Sequence, residues 1–287
     1  MSSDTPVWLI TGSSSGFGKF IALEALKRGH KVIATARNVS RLNDLEAAGA
    51  VALALDVTAP LSDLKNVIKA AHSKYGRITH LVNAAGYVLE GAVEEISPEE
   101  DYATFNTNVF GMLNVSRAVL PYLRAAPGEK VIANFGSIGS WSGGAGYGLY
   151  SATKWACSGI SESMRPELEP FGIITTVIEP GYFRTNLLNA DARVKSAVRM
   201  KEYDETGVGE TRKMLDNKNN TQLGDVEKGA KIIVDILTHS GVAEGRDIPI
   251  RVALGSDATP FIINKCKETE RLLKEWKDIT TVTDHVD

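Results

Sequence analysis

A chain of 287 residues with 32 basic and 35 acidic side chains carries a formal charge of −3, which lacks the basic excess expected of a nucleic-acid binder. Apolar residues make up 43%, enough for a full core, and no run approaches the ~18 apolar residues of a membrane-spanning helix. Only Cys157 and Cys266 are present, in no metal-ligand spacing, and the start MSSDTPVWLITG has no signal-peptide pattern, so a metal-free protein of the reducing cytoplasm is expected.

The first apolar run, VWLI (7–10), leads through TGSSSGFG (11–18) into a helical pattern. Gly12, Gly16 and Gly18 are spaced G-x-x-x-G-x-G, with Ser14, Ser15 and Phe17 between or beside them. Glycines there permit a tight strand-to-helix turn and let backbone approach a pyrophosphate at a helix N-terminus. The same residues satisfy G-x-S-x-G around Ser14, a hydrolase elbow, with His239 and His285 as available bases. Against that reading, the motif follows the first strand, and an elbow has no use for a third glycine.

The second run, KVIATA (31–36), ends at Ala36 and Arg37 without a carboxylate. An acid here would bind a ribose 2′-hydroxyl, whereas an arginine suits a 2′-phosphate, so NADP(H) is favoured over NAD(H). AVALAL (50–55) delivers Asp56 and Val57, and ITHLVN (78–83) delivers Asn83, Ala84 and Gly86 in NAAG. Both sets fall at strand carboxyl ends, where ligands bind in open α/β sheets. Taken singly, Asp56 starts a turn and Asn83 caps the next segment.

KVIANF (130–135), IITTVIE (173–179) and IPIRVAL (248–254) complete about seven runs, apolar throughout as expected for parallel strands covered on both faces. Helical patterns separate them, which predicts one doubly wound α/β domain over 1–287. The polar segment 186–224 reads as an insertion within it, a lid or a linker. In the tail, apolar residues at 262, 266, 273 and 276 recur at helical spacing, and core packing is expected of them.

Between these elements, Tyr150 and Lys154 stand one helical turn apart, on one face of a helix, after a glycine-rich stretch that carries serines. An isolated pair of this kind is a surface tyrosine along a lysine stem. Here it has company. TGSSSGFG, NAAG, NTNVFG, GSIGS, YSATK and EPGYFRT, in this order over about residues 7–185, resemble the short-chain dehydrogenases/reductases, with KVIATARN most like the 17β-hydroxysteroid and retinol dehydrogenase members.

The resemblance implies a Rossmann-fold oxidoreductase with an Asn-Ser-Tyr-Lys tetrad of Asn108, Ser137, Tyr150 and Lys154. It prefers Asn108 to Asn106 and Ser137 to Ser140, and excludes Tyr147, which has Ser151 four residues on. Pro180, Gly181, Phe183 and Thr185 match the segment that packs the nicotinamide carboxamide, and Tyr150 and Lys154 also touch the cofactor. Tyr150 is then the acid/base, Lys154 the cation that favours its phenolate, Ser137 a donor to the carbonyl oxygen, and Asn108 the holder of a water that links Lys154 to solvent. Homodimers or homotetramers through the fourth and fifth crossover helices are also implied.

The substrate end is expected from 87–95, 139–147 and 186–224. Tyr87, Trp141, Tyr147, Tyr182, Leu187 and Leu188 suggest a bulky hydrophobic ketone, aldehyde or secondary alcohol. An NADPH-dependent carbonyl reductase is the leading reading. A catalytically silent NADP(H) sensor and dehydratase or epimerase chemistry on the same scaffold are the alternatives.

Overall fold

Aliphatic runs that find cover on both faces become the strands of one sheet. The computed structural model describes residues 5–189 and 192–285. Its strands are β1 (Val7–Thr11), β2 (Lys31–Ala36), β3 (Val51–Ala54), β4 (His80–Asn83), β5 (Val88–Glu90), β6 (Lys130–Phe135), β7 (Ile173–Pro180), β8 (Arg193–Lys195) and β9 (Arg251–Leu254). Seven of them form a parallel sheet in the order β3-β2-β1-β4-β6-β7-β9. The chain winds outward from β1 to β3, then returns to β4 on the other side of β1. The carboxyl ends of β1 and β4 therefore flank the crevice where the winding reverses.

Helices Gly16–Lys27 and Val226–Leu237 cover one face, packing Ile21, Ala25, Ile233 and Leu237 over Ile10, Val32 and Val82. Helices Leu61–Tyr75, Met112–Ala125 and Gly148–Leu168 cover the other, with Ile68, Val115, Val119 and Met164 over Leu9, Leu81 and Ile132. Burying each large aliphatic chain stabilises the fold by about 1.5–3 kcal/mol. The expected doubly wound α/β sheet of about seven strands is the one observed.

Three features depart from the expectations. Regular pairing of the last strand starts at Arg251 rather than at 248, because Pro249 has no N–H to give to a ladder. The short strands β5 and β8 pair in parallel and fasten the stretch after Gly86 to the 186–224 segment. The tail forms the helix Ala258–Thr280, but it does not enter the core: of its described residues only Ala258 is buried.

β4 opens on a buried histidine. His80 stacks on Trp8 with ring centroids 4.4 Å apart, meets Thr79 Oγ1 at Nδ1 and Leu237 O at Nε2, both at 2.9 Å. Burial above all, with His30 and His239 nearby, outweighs the Leu237 bond and lowers its pKa from 6.5 to about 4. Unfolded, the ring takes a proton near its ordinary value; folded, it refuses it until about pH 4. The stability is complete above pH 6.5 and falls as pH drops to about 4, by roughly 3 kcal/mol in all. Denaturant unfolding of wild type and His80→Gln at pH 7, 5.5 and 4 checks this: the wild-type advantage shrinks with falling pH, and a constant difference would contradict it.

Candidate active site

β1 ends in Thr11, and its hydroxyl accepts from the backbone N–H groups of Ala84 and Ala85 at 3.1 and 3.2 Å, stitching the carboxyl ends of β1 and β4. Gly12 follows with φ +67°, and a Cβ on it would lie 2.8 Å from Ala85 Cα. A Cβ on Gly18 would lie 2.5 Å from Gly12 O. Only glycine fits either place. The turn folds back on itself and opens the N-terminus of the helix Gly16–Lys27 into the crevice.

One cleft runs along this edge. It is lined by Gly12, Ser14, Ser15, Gly16, Phe17 and Gly18, then by Arg37, Asp56, Val57, Ala84 and Gly86, and on the other side by Ser137, Tyr150, Lys154, Pro180, Gly181, Phe183, Thr185 and Leu187. Phe17 packs edge-on to Phe183 at 5.0 Å and tilted on Phe135 at 5.4 Å, closing the floor. Gly181 N donates to Leu254 O at 2.8 Å and Tyr182 N to Asp257 Oδ2 at 2.8 Å, which pins the segment after β7.

At the inner end, the helix Gly148–Leu168 presents Tyr150 and Lys154. Lys154 Nζ donates to Phe135 O at 2.8 Å and lies 5.8 Å from the centroid of the Tyr150 ring. Ser137 Oγ accepts from Gly139 N at 3.1 Å, which leaves its proton for a ligand in the cleft. Ser140 is buried, and its hydroxyl donates to Lys154 O at 2.8 Å, tying the serine loop to the helix. Ser137 faces the cleft and Ser140 the scaffold.

Asn108 turns its side chain inward. It is buried in a π-helical stretch, Asn106–Gly111, its Oδ1 accepts from Tyr87 N at 3.1 Å, and its Nδ2 donates to Tyr87 O at 3.0 Å and Thr153 Oγ1 at 3.1 Å. Its side chain holds the strand after Gly86 against the helix of Tyr150. Asn83 is also buried: its amide donates to Ser116 Oγ and Asn134 Oδ1 in the core, at 3.1 and 2.9 Å. It supports the cleft from beneath.

The expected substrate residues divide. Leu187 lines the cleft, as do Tyr87 and Asn186. Trp141 does not, because its indole donates to Glu179 Oε2 at 2.8 Å and Arg251 stacks on it at 3.8 Å. Leu188 faces a separate hollow beside Arg193 and Asp216. Tyr147 and Tyr182 are not among the lining residues, and Tyr182 has Tyr147 and Tyr150 near it. Burial, with Tyr147, Tyr150 and Asp257 near, pushes the Tyr182 hydroxyl up to about 12, and Lys218 stands 3.8 Å over its ring.

Two groups were not singled out from the sequence. Arg41 lines the cleft beside Arg37, carried four residues on by the turn Val39–Leu42, a spacing that marks it in the sequence. Glu179 is fully buried one residue before Pro180. Its Oε1 accepts from Ser158 Oγ at 2.8 Å, and both oxygens accept from Arg251 Nε at 3.1 and 3.0 Å. An acid closing the apolar run IITTVIE was its mark. The 186–224 segment is fastened by buried charges: Arg193 Nε meets Glu90 at 3.1 Å, and Arg212 bonds Glu95.

The hydrolase reading fails on position. Ser14 is at the carboxyl edge of the sheet, whereas His239 bonds Arg246 O and Glu129 near the amino end of β6, and His285 lies in the exposed tail. Among the described residues no cluster of His, Cys, Asp or Glu could hold a metal.

Residues 6–195 match the family model for short chain dehydrogenase. The chain belongs to the short-chain dehydrogenase family. It is 31% identical to oxidoreductase BOA17 of Botryotinia fuckeliana over 280 residues, 96% of this chain and 98% of that one. It is 42% identical to a 3-ketodihydrosphingosine reductase of Bacteroides thetaiotaomicron over 178 residues, 62% of this chain and 64% of the relative. The crystal structure of a short-chain dehydrogenase from Streptomyces avermitilis superposes with a TM-score of 0.88 at 38% identity, covering 98% of this chain and all of that one. This short-chain dehydrogenase is thus an oxidoreductase, and no helix among its described residues is long and apolar enough to cross a membrane.

Proposed function

We propose that this chain is an NADP(H)-dependent carbonyl reductase, working reversibly as an alcohol dehydrogenase on a bulky hydrophobic ketone, aldehyde or secondary alcohol in the cytoplasm. The observation that carries it is the convergence of Ser137, Tyr150 and Lys154 on one cleft whose other end is the Gly12–Gly18 turn. The cradle fits a dinucleotide: glycines stand where a Cβ would strike backbone, and a helix N-terminus faces the cleft.

The Gly12–Gly18 turn would hold the pyrophosphate, Asp56 and Val57 the adenine side, Ala84 and Gly86 the middle, and Pro180 to Thr185 with Tyr150 and Lys154 the nicotinamide half. A bound nicotinamide supplies or accepts hydride. In reduction, Tyr150 gives its hydroxyl proton to the carbonyl oxygen as that oxygen becomes an alkoxide. Lys154, oriented by Phe135 O, favours the phenolate that Tyr150 leaves. Ser137 donates its free proton to the same oxygen. Asn108 acts through position, holding the Tyr87 backbone and the Thr153 hydroxyl together.

Arg37 and Arg41 support NADP(H), since two guanidiniums line the adenosine end and β2 ends without an acid. Arg37→Ala is expected to lower kcat/KM for NADPH by roughly 10- to 100-fold, the worth of a lost charge-assisted bond, with NADH nearly unaffected. Initial rates with both cofactors check it, and an unchanged ratio would sink the preference. For the substrate, Tyr87, Leu187 and Ala192 in the cleft wall support an apolar compound, and the likeness to a ketodihydrosphingosine reductase agrees.

A further inference from the structure

We infer that the helix Ala258–Thr280 is a self-pairing element that joins two copies of this chain antiparallel through its apolar stripe. The helix is about 35 Å long, and every residue from Cys266 to Thr280 is exposed. Its contacts with the body lie at its beginning, against β9 and the turn Ile138–Ser140. Yet one face is apolar, with Leu273 69%, Trp276 52% and Ile279 64% exposed. Most helical stability in proteins comes from packing an amphipathic face, and this face has no packing within the chain.

The face that holds the stripe has the alternating three- and four-residue steps of a coiled-coil seam, at Ile262, Cys266, Thr269, Leu273, Trp276 and Thr280. In an antiparallel pair, seam residues of one type face the other type across the axis. Setting Leu273 against the partner's Trp276 fixes the whole register. Leu272 then meets the partner's Ile279 on one flank, and Glu270 meets the partner's Lys277 on the other. By symmetry each contact occurs twice. In this one register Leu273 faces Trp276, Thr269 faces Thr280 and acid faces base, and that charge complementarity selects a second copy as the occupant. Glu270, now 2.5 Å from Lys274 of its own helix, exchanges or shares that partner across the seam. A parallel pair is poorer: it sets Leu272 beside the partner's Lys277 and each Cys266 beside its mate.

The helix carries only one more basic than acidic residue, so an anionic membrane is not favoured as its cover: Lys265, Lys267, Arg271, Lys274 and Lys277 stand against Glu268, Glu270, Glu275 and Asp278.

Sedimentation velocity on the full chain at micromolar concentration tests this pairing. Leu273→Glu with Trp276→Glu should halve the mass of the wild-type species while the body, untouched by this helix beyond its first turns, keeps its melting temperature. Glu270→Lys and Lys277→Glu should each weaken association by roughly 10-fold, and their combination should restore it. Unchanged mass in the Leu273→Glu, Trp276→Glu chain would overturn the proposal, as would a double charge swap no better than either single one. Oxidative cross-linking through Cys266 would overturn the antiparallel register. A monomeric wild type that floats with phosphatidylcholine vesicles would overturn self-pairing and give the stripe to a lipid surface.

Discussion

Tyr150→Phe is expected to lose turnover by roughly 100- to 10,000-fold, the usual contribution of a positioned acid/base, while NADPH binds within a few-fold of wild type. The separation follows from the cleft. The Tyr150 hydroxyl is the only part removed, and the glycine turn, Arg37 and the pinned Pro180–Thr185 segment remain as they are. Lys154 keeps its bond to Phe135 O. Stopped-flow or steady-state rates beside a fluorescence titration of NADPH check both halves. Activity within a few-fold of wild type would remove Tyr150 from the chemistry. Loss of binding and rate together would say that the ring, and not the hydroxyl, was the essential part.

Glu179→Ala is expected to destabilise the fold by about 3 kcal/mol, because truncating one member of a buried ion pair strands the other. The low end of the usual range applies, since Arg251 keeps 22% of its side-chain surface in water. Besides Arg251, the substitution abandons Ser158 on the helix of Tyr150 and Trp141 on the loop of Ser137. Those two links make Glu179 a positioning residue for the cleft. Urea unfolding gives the loss, and a second change, Arg251→Leu in the Glu179→Leu background, should recover part of it by removing the stranded charge. Losses that simply add would contradict the coupling.

The sheet was legible because its strands are apolar on both faces and separated by helices of ordinary length, so periodicity and length agree. The cleft was legible for a different reason: backbone approach restricts Gly12 and Gly18, and chemistry restricts Tyr150 and Lys154, leaving marks in residue type. Side-chain direction leaves no such mark. Asn83, Asn108 and Trp141 each turn side-chain N–H groups into the scaffold, toward Asn134, Tyr87 and Glu179. The β5–β8 pair was hidden because three residues on each side give no period, and their partners lie far apart in sequence. The tail misled in another way. A helical apolar stripe announces that it will be covered, and not by which surface.

Loss of reduced-nicotinamide absorbance, with NADPH and separately NADH, against ketones and aldehydes graded from small aliphatic to long-chain and steroid-sized, tests the central claim most directly. The account predicts turnover that prefers NADPH, rises with the apolar bulk of the carbonyl compound, and disappears in Tyr150→Phe. Tight NADPH binding with no turnover across the panel would contradict the reductase and point to a nucleotide sensor.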